Sequence, residues 1–413
     1  MRPNPLRQSA QYRSGEPMAD AAAPRPRGDY GPVTDRIGHI DALRGLALLG
    51  VIVMNVGSMV MSVNAGHVLA GATLPEMGVM ATDILLMFGK ARSSFAFLFG
   101  CGFAILHARA QAAGVAFGAF YTRRLLALLL FGLINQIFLF AGDILVTYAL
   151  LGFILMRCAA WRDSALLKAG LVLVMAPPLV HGLIELILGH PVPDLVDLPI
   201  AERMARGLEA YSSTSYIDAI RENIMLGVSR HATATAPMIV GDLNVLGLFF
   251  LGCWSVRSGI LTEPRRHVRL LRRLAWWLIP AGLVISGVNM LPMLGARPGG
   301  AAGAMITASA IAAPVLAGGY ISALALYFSG ARGWLSSLLG AAGRLALTNY
   351  LLSGAIGTWV FYGYGLGALN SFGITELTLF GIGLFLALAL ASRAWLRFAS
   401  HGPAEMLWRR LSY

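Results

Sequence analysis

Residues 40–63 read IDALRGLALLGVIVMNVGSMVMSV, and after Arg44 no Asp, Glu, Lys or Arg follows until Glu76. At about 1.5 Å of rise per residue, a helix of this length covers a hydrocarbon core of roughly 30 Å. The pattern recurs along the 413 residues, of which 57% are hydrophobic and only 13% charged. That is too little polar surface to cover a water-soluble globule of this size. Apolar blocks fall at 40–62, 82–107, 125–141, 143–157, 169–189, 234–256, 274–293, 302–328, 345–363 and 374–396. The sequence therefore reads as all-α, a polytopic transmembrane helical bundle of about ten spans.

Charge placement gives the orientation, because Lys and Arg beside spans are retained in the cytoplasm. Arg25, Arg27 and Arg36 precede the first block, whereas 63–77 has no Lys or Arg. Arg109, Arg123 and Arg124 follow the second block, and the short link at 141–143 has none. Arg157, Arg162 and Lys168, then six arginines from Arg257 to Arg273, then Arg332, and finally Arg393, Arg397, Arg409 and Arg410 continue the alternation. Both termini are thus expected in the cytoplasm. Residues 1–36, rich in Pro, Arg, Gly and Ala, read as a disordered cytoplasmic tail, 37–413 as a single transmembrane domain, and 397–413 as its cytoplasmic tail. The 190–233 loop balances Arg203, Arg206, Arg221 and Arg230 against acidic residues and reads as extracytoplasmic amphipathic helix. Topology accounts for the formal charge of +12, so no nucleic-acid partner is implied. The three cysteines lie in or at the ends of apolar blocks with no zinc-ligand spacing, so no metal is expected.

Polar groups inside spans cost several kcal/mol each and mark partners, wet cavities or function. Arg44 and Asn55 are eleven residues apart, which brings them within about 20° of the same helix direction and about 16 Å apart in depth. They form one polar stripe. Asp41 and Arg44 are also a local ion pair by spacing, and Asn55 alone would serve as interhelical glue. Asp83 and Lys90, seven apart, share a face. Asp143 opens the fourth block as a helix cap or a functional carboxylate. Asn135, Asp242, Asn244, Arg344 and Asn349 complete the set. Among the histidines, His67 stands out because it follows the Arg44 and Asn55 helix, although a single histidine is more often a bystander than a base. No GxxxxGK[ST], HExxH or GxSxG motif occurs, which argues against a standard soluble-enzyme site.

The segments DALRGLALLGVIVMN, FLFGCGFAI, GDILVTYALLGF, GRLALTNYLL with FYGYGLG, and the ending GPAEMLWRRLSY run in order through 37–413. Together they resemble the YeiB-like bacterial membrane proteins, domain of unknown function 418, a family related to transmembrane acyltransferases such as heparan-alpha-glucosaminide N-acetyltransferase and the acyltransferase-three enzymes. The resemblance implies a multi-pass protein of the bacterial inner membrane that moves an acyl group from cytoplasmic acyl-CoA to an extracytoplasmic acceptor. Asn55 matches the first-helix asparagine of the heparan enzyme, and His67 falls near its catalytic histidine. Asn135 stands where many YeiB-like proteins carry a histidine.

The expected mechanism follows. Acetyl-CoA or another acyl-CoA is the donor, its phosphates met by Arg44, Arg123, Arg124 and Arg344. Asn55 would donate to the oxyanion and His67 would act as base, with Asp41, Asp83, Lys90, Asn135, Asp143 and Asn349 supporting. The partners expected are membrane lipid and an envelope sugar, lipid or amine as acceptor, with a homo-oligomer left open. Two other readings stay open: a transporter or channel for a small anionic or lipid-like solute, and a non-catalytic family member.

Overall fold

In an apolar solvent a free backbone N–H or C=O finds no partner, so each apolar block must satisfy its own backbone and becomes helical. The computed structural model describes residues 37–188, 200–232, 235–290, 298–331 and 333–412, and among these no strand occurs. The helices are α1 (Gly38–Ala70), α2 (Leu74–Leu86), α3 (Lys90–Ala112), α4 (Phe117–Ile134, running into a wider turn at Asn135–Leu139), α5 (Leu145–Arg157), α6 (Asp163–Leu188), α7 (Ile200–Ser212), α8 (Tyr216–Ala232), α9 (Ala236–Arg257), α10 (Val268–Gly287), α11 (Pro298–Gly330), α12 (Trp334–Arg344), α13 (Ala346–Phe361), α14 (Ile374–Trp395) and α15 (Pro403–Ser412).

Each apolar block holds a helix, and seven segments are long and apolar enough to cross a membrane: Gly38–Ala70, Leu74–Ala112, Phe117–Leu139, Asp163–Leu188, Ala236–Arg257, Met305–Gly330 and Ile374–Trp395. In the other three blocks, α5 and α13 have only 13 and 16 residues, and the 20-residue α10 opens with Arg269, Arg272 and Arg273. The chain is a helical membrane protein. The expected tail at 1–36, Arg332, and the loop positions His190, Asp194 and Asp197 lie outside the described residues.

Close glycine crossings set the frame. Gly45 on α1 lies against the Leu339 carbonyl of α12, and Gly343 on α12 lies against the Asp41 carbonyl of α1; a Cβ at either place would overlap those oxygens. Gly100 and Gly252 make the same reciprocal approach between α3 and α9. Helices in lipid gain little from hydrophobic burial against one another, so small residues that let backbones approach are what lock them.

At the end away from the arginine-rich links lie α7 and α8. Arg206 donates to both carboxylate oxygens of Glu222 at 3.0 and 3.2 Å, and Tyr211 stacks on Tyr362 with ring centroids 4.2 Å apart. The α8 side chains Asn223 and Tyr216 donate to the carbonyls of Ile137 and Phe138, covering the turn after α4. That turn lies deep. The 13 residues of α5 rise only ~20 Å, so the link 140–144 sits within the thickness of the bundle, where irregular backbone survives only when buried in protein.

Candidate functional site

The arginine-rich links bring α1, α3, α4, α5, α12, α13 and α15 around a cavity of about 410 Å³. Arg44, Arg109, Arg124, Arg344 and Arg409 line it together with His401, against two carboxylates, Asp41 and Glu405. This excess of positive charge favours an anionic guest. The rest of the wall is apolar and aromatic, formed by Phe95, Phe99, Leu125, Leu128, Leu145, Tyr148 and Tyr350. Arg109 is exposed, whereas Leu125, Tyr148 and Tyr350 are at most 3% exposed, so the cavity runs from a charged rim to a buried apolar end.

Each rim residue has a local cause. Arg44 lies two turns into α1 and donates to Asp41 Oδ1 at 3.0 Å. Arg344 ends α12 and donates to the Ser400 carbonyl at 3.1 Å, leaving its Nε buried without a partner. The Arg124 guanidinium sits 3.6 Å over the Trp408 ring, and Trp408 Nε1 donates to the Arg124 carbonyl at 2.9 Å. Arg409 reaches His401. The amphipathic α15 thus closes one wall of the rim.

Glu405 anchors α15. Its Oε1 accepts the backbone N–H groups of Leu347 and Thr348 at 2.8 and 3.1 Å, and Oε2 accepts the Thr348 hydroxyl. These amides open α13, where a helix has no carbonyl of its own to offer them and an acid is favoured. Burial pushes the Glu405 carboxyl above its ordinary value, against the lowering effect of the Thr348 and Leu347 hydrogen bonds. The docked form therefore holds its proton more tightly than the free chain, and that contribution is complete below the ordinary value of 4.5 and lost as pH climbs through the raised one. Thermal midpoints measured across this range should favour Glu405→Gln over wild type increasingly as pH rises. A constant difference between the two would show that Glu405 does not titrate with docking.

Four expected residues, Asp41, Arg44, Arg124 and Arg344, meet in this cavity, while Arg123 is exposed beside it and does not line it. Asn55 and His67 are not brought to it. Asn55 is half-buried about 16 Å further along α1, and His67 is exposed beyond the kink at Asn64, about 34 Å of helix rise from Arg44. The cavity leaves α1 after Arg44 and turns toward α3, α5 and α13. Asp83 and Lys90 do not share a face, because the chain breaks between them at Gly89, with φ of +76°. Asp83 accepts from the Thr378 hydroxyl at 2.6 Å, and Lys90 donates to the Ile84 carbonyl at 2.8 Å, satisfying an end of α2. Asn349 binds Ser392 Oγ at 2.9 Å and the Ala342 carbonyl at 3.3 Å, holding α13 to α14 outside the cavity. Asp143 accepts the Val146 N–H at 2.9 Å as a cap for α5 and accepts from Asn135 Nδ2 at 2.8 Å; both sit behind Tyr350.

Sequence reasoning missed Arg109, His401, Glu405, Trp408, Arg409 and the aromatic wall as site residues. For α15 the signal was present: Leu407, Trp408 and Leu411 alternate at helical spacing with Glu405, Arg409 and Arg410.

Residues 255–413, which include α12 to α15 and so Arg344, Tyr350, Glu405 and Arg409, match the family model described as Protein of unknown function (DUF418). The chain is 30% identical over 396 residues to the Bacillus subtilis (strain 168) protein described as Uncharacterized protein YxaH, covering 92% of this chain and 94% of that one. It is 28% identical over 389 residues to Uncharacterized protein YeiB of Escherichia coli (strain K12), covering 90% and 95% respectively. No solved structure matches.

Proposed function

Since this chain belongs to the YeiB-like DUF418 family, we propose from its cavity that it binds an acyl-CoA and passes the acyl group to an acceptor across the bacterial inner membrane. One observation carries the reading: a single cavity joins five arginines to an aromatic and aliphatic interior. A coenzyme A thioester has the matching halves, a phosphate-bearing head that guanidinium forks recognise and an uncharged acyl end. Enclosure of that end away from water would suppress wasteful hydrolysis of the thioester. The rim residues belong to links that the distribution of arginines assigns to the cytoplasm, where acyl-CoA is made. The resemblance to transmembrane acyltransferases points the same way. In this reading Arg44, Arg124 and Arg344 are head contacts, joined by Arg109 and Arg409, and the acceptor is an envelope sugar, lipid or amine.

Titration calorimetry on the purified protein tests the reading directly. Acetyl-CoA and free CoA should bind saturably and more weakly at high salt, whereas acetyl-pantetheine, which lacks the nucleotide phosphates, should bind poorly. Absence of acetyl-CoA binding, together with passage of a small anion through proteoliposomes, would transfer the assignment to transport.

A further inference from the structure

Tyr350 lines the buried end of the cavity, and its hydroxyl donates to Asp143 Oδ1 at 3.2 Å while its oxygen receives the Ile144 N–H at 3.3 Å. Asp143 is 2% exposed, and its hydrogen-bond partners are neutral: Tyr350, Asn135 and the Val146 amide. A carboxylate buried among neutral donors is costly to keep for packing alone. Asn135, which donates to Asp143, leaves its own Oδ1 buried without a hydrogen-bond partner, on a side chain only 1% exposed. It faces a glycine of another helix, since a Cβ at Gly354 of α13 would come 3.3 Å from Asn135 Oδ1. Buried polar atoms in native proteins are almost always paired, so an unpaired acceptor on a side chain bonded to a buried carboxylate marks this polar cluster as more than packing.

We propose that Tyr350 is the catalytic residue that takes the proton of the incoming hydroxyl or amine, with Asp143 behind it storing that proton. The proposal rests on the donor reading above and supplies the chemistry that Asn55 and His67 are too remote to perform. As the nucleophile's oxygen or nitrogen bonds to the thioester carbon, its proton passes to the Tyr350 oxygen while the Tyr350 proton moves to Asp143 along the existing hydrogen bond. The carbon–sulfur bond then breaks, the thiolate takes a proton from Tyr350, and Asp143 returns its proton to Tyr350. The products are an ester or amide and the CoA thiol. Asp143 acts only through Tyr350 and is a positioning and proton-holding residue.

The alternative is that Tyr350 and Asp143 merely fasten the α4–α5 link to α13. The full chain, purified with wild-type residues or as Tyr350→Phe, is titrated with acetyl-CoA and assayed for thiol release, above the rate in buffer alone, to ethanolamine, which offers a hydroxyl and an amine, and to hydroxylamine, a nucleophile reactive enough to need no base. Tyr350→Phe keeps the ring and should keep the wild-type Kd and thermal midpoint, while thiol release to ethanolamine falls about 100-fold and hydroxylamine restores it. Asp143→Asn should lower kcat and leave the Kd for acetyl-CoA unchanged. Unchanged thiol release in Tyr350→Phe, or a loss that hydroxylamine does not repair, overturns the proposal. So does a wild-type protein that binds acetyl-CoA and releases no thiol, although the donor reading then survives. A wild-type protein that does not bind acetyl-CoA removes the donor reading itself.

Discussion

Gly343→Ala should leave little folded protein. A single added methyl would overlap the Asp41 carbonyl oxygen and press on the Gly45 amide, both backbone atoms of α1 that no rotamer change can move aside. The two helices would have to separate, placing the cost at or above the ~3 kcal/mol end of the range for over-packed cores. Gly340, one turn earlier on α12, has open space where its Cβ would be. Gly340→Ala should therefore be neutral or stabilise by about 0.5–1 kcal/mol through helix propensity. Detergent-solubilised yield by size-exclusion fluorescence, with thermal midpoints for whatever survives, separates the two. Equal behaviour of both variants would mean that the α1–α12 crossing is not a close one.

The second large effect concerns the rim. Arg44→Ala combined with Arg344→Ala should weaken acetyl-CoA binding by about 10²–10⁴-fold, since each lost hydrogen bond to a charged group is worth ~1.5–3 kcal/mol. Arg44→Ala also leaves Asp41 without its 3.0 Å partner, putting an uncompensated carboxylate where phosphates would lie. Arg44→Lys retains the charge but not the planar fork and should fall between. Arg397 is exposed and does not line the cavity, so Arg397→Ala removes the same charge without the contact. If Arg397→Ala weakens binding as much as the rim pair, general electrostatic attraction explains the affinity and the cavity does not.

The helices were legible because lipid forces the period on the sequence: a block such as Gly45–Val63 has no other stable form. The breaks were not. Gly89 interrupts a run that stays apolar on both sides, so hydropathy carries straight through a change of direction. Leu345, between α12 and α13, hides a second break in the same way. Of the site, Arg44 and Arg344 announce themselves because a guanidinium near a span needs an explanation. Tyr350 gives no such signal, since an aromatic in an apolar helix looks like packing until its hydroxyl is seen 3.2 Å from Asp143. Asn55 and His67 show the opposite error. Angular register along one helix says which way a side chain faces, but the path of a cavity is decided by the neighbours.

The brevity of α5 matters electrically. Before a donor fills and seals the cavity, water entering it would carry the potential of its own compartment toward Tyr350, so the membrane voltage would fall across the layer between Asp143 and α8. A proton crossing that layer would traverse nearly the whole drop, worth ~2.3 kcal/mol for each elementary charge per 100 mV. An energised membrane would then bias proton movement at Asp143 in a way that protein in detergent never experiences.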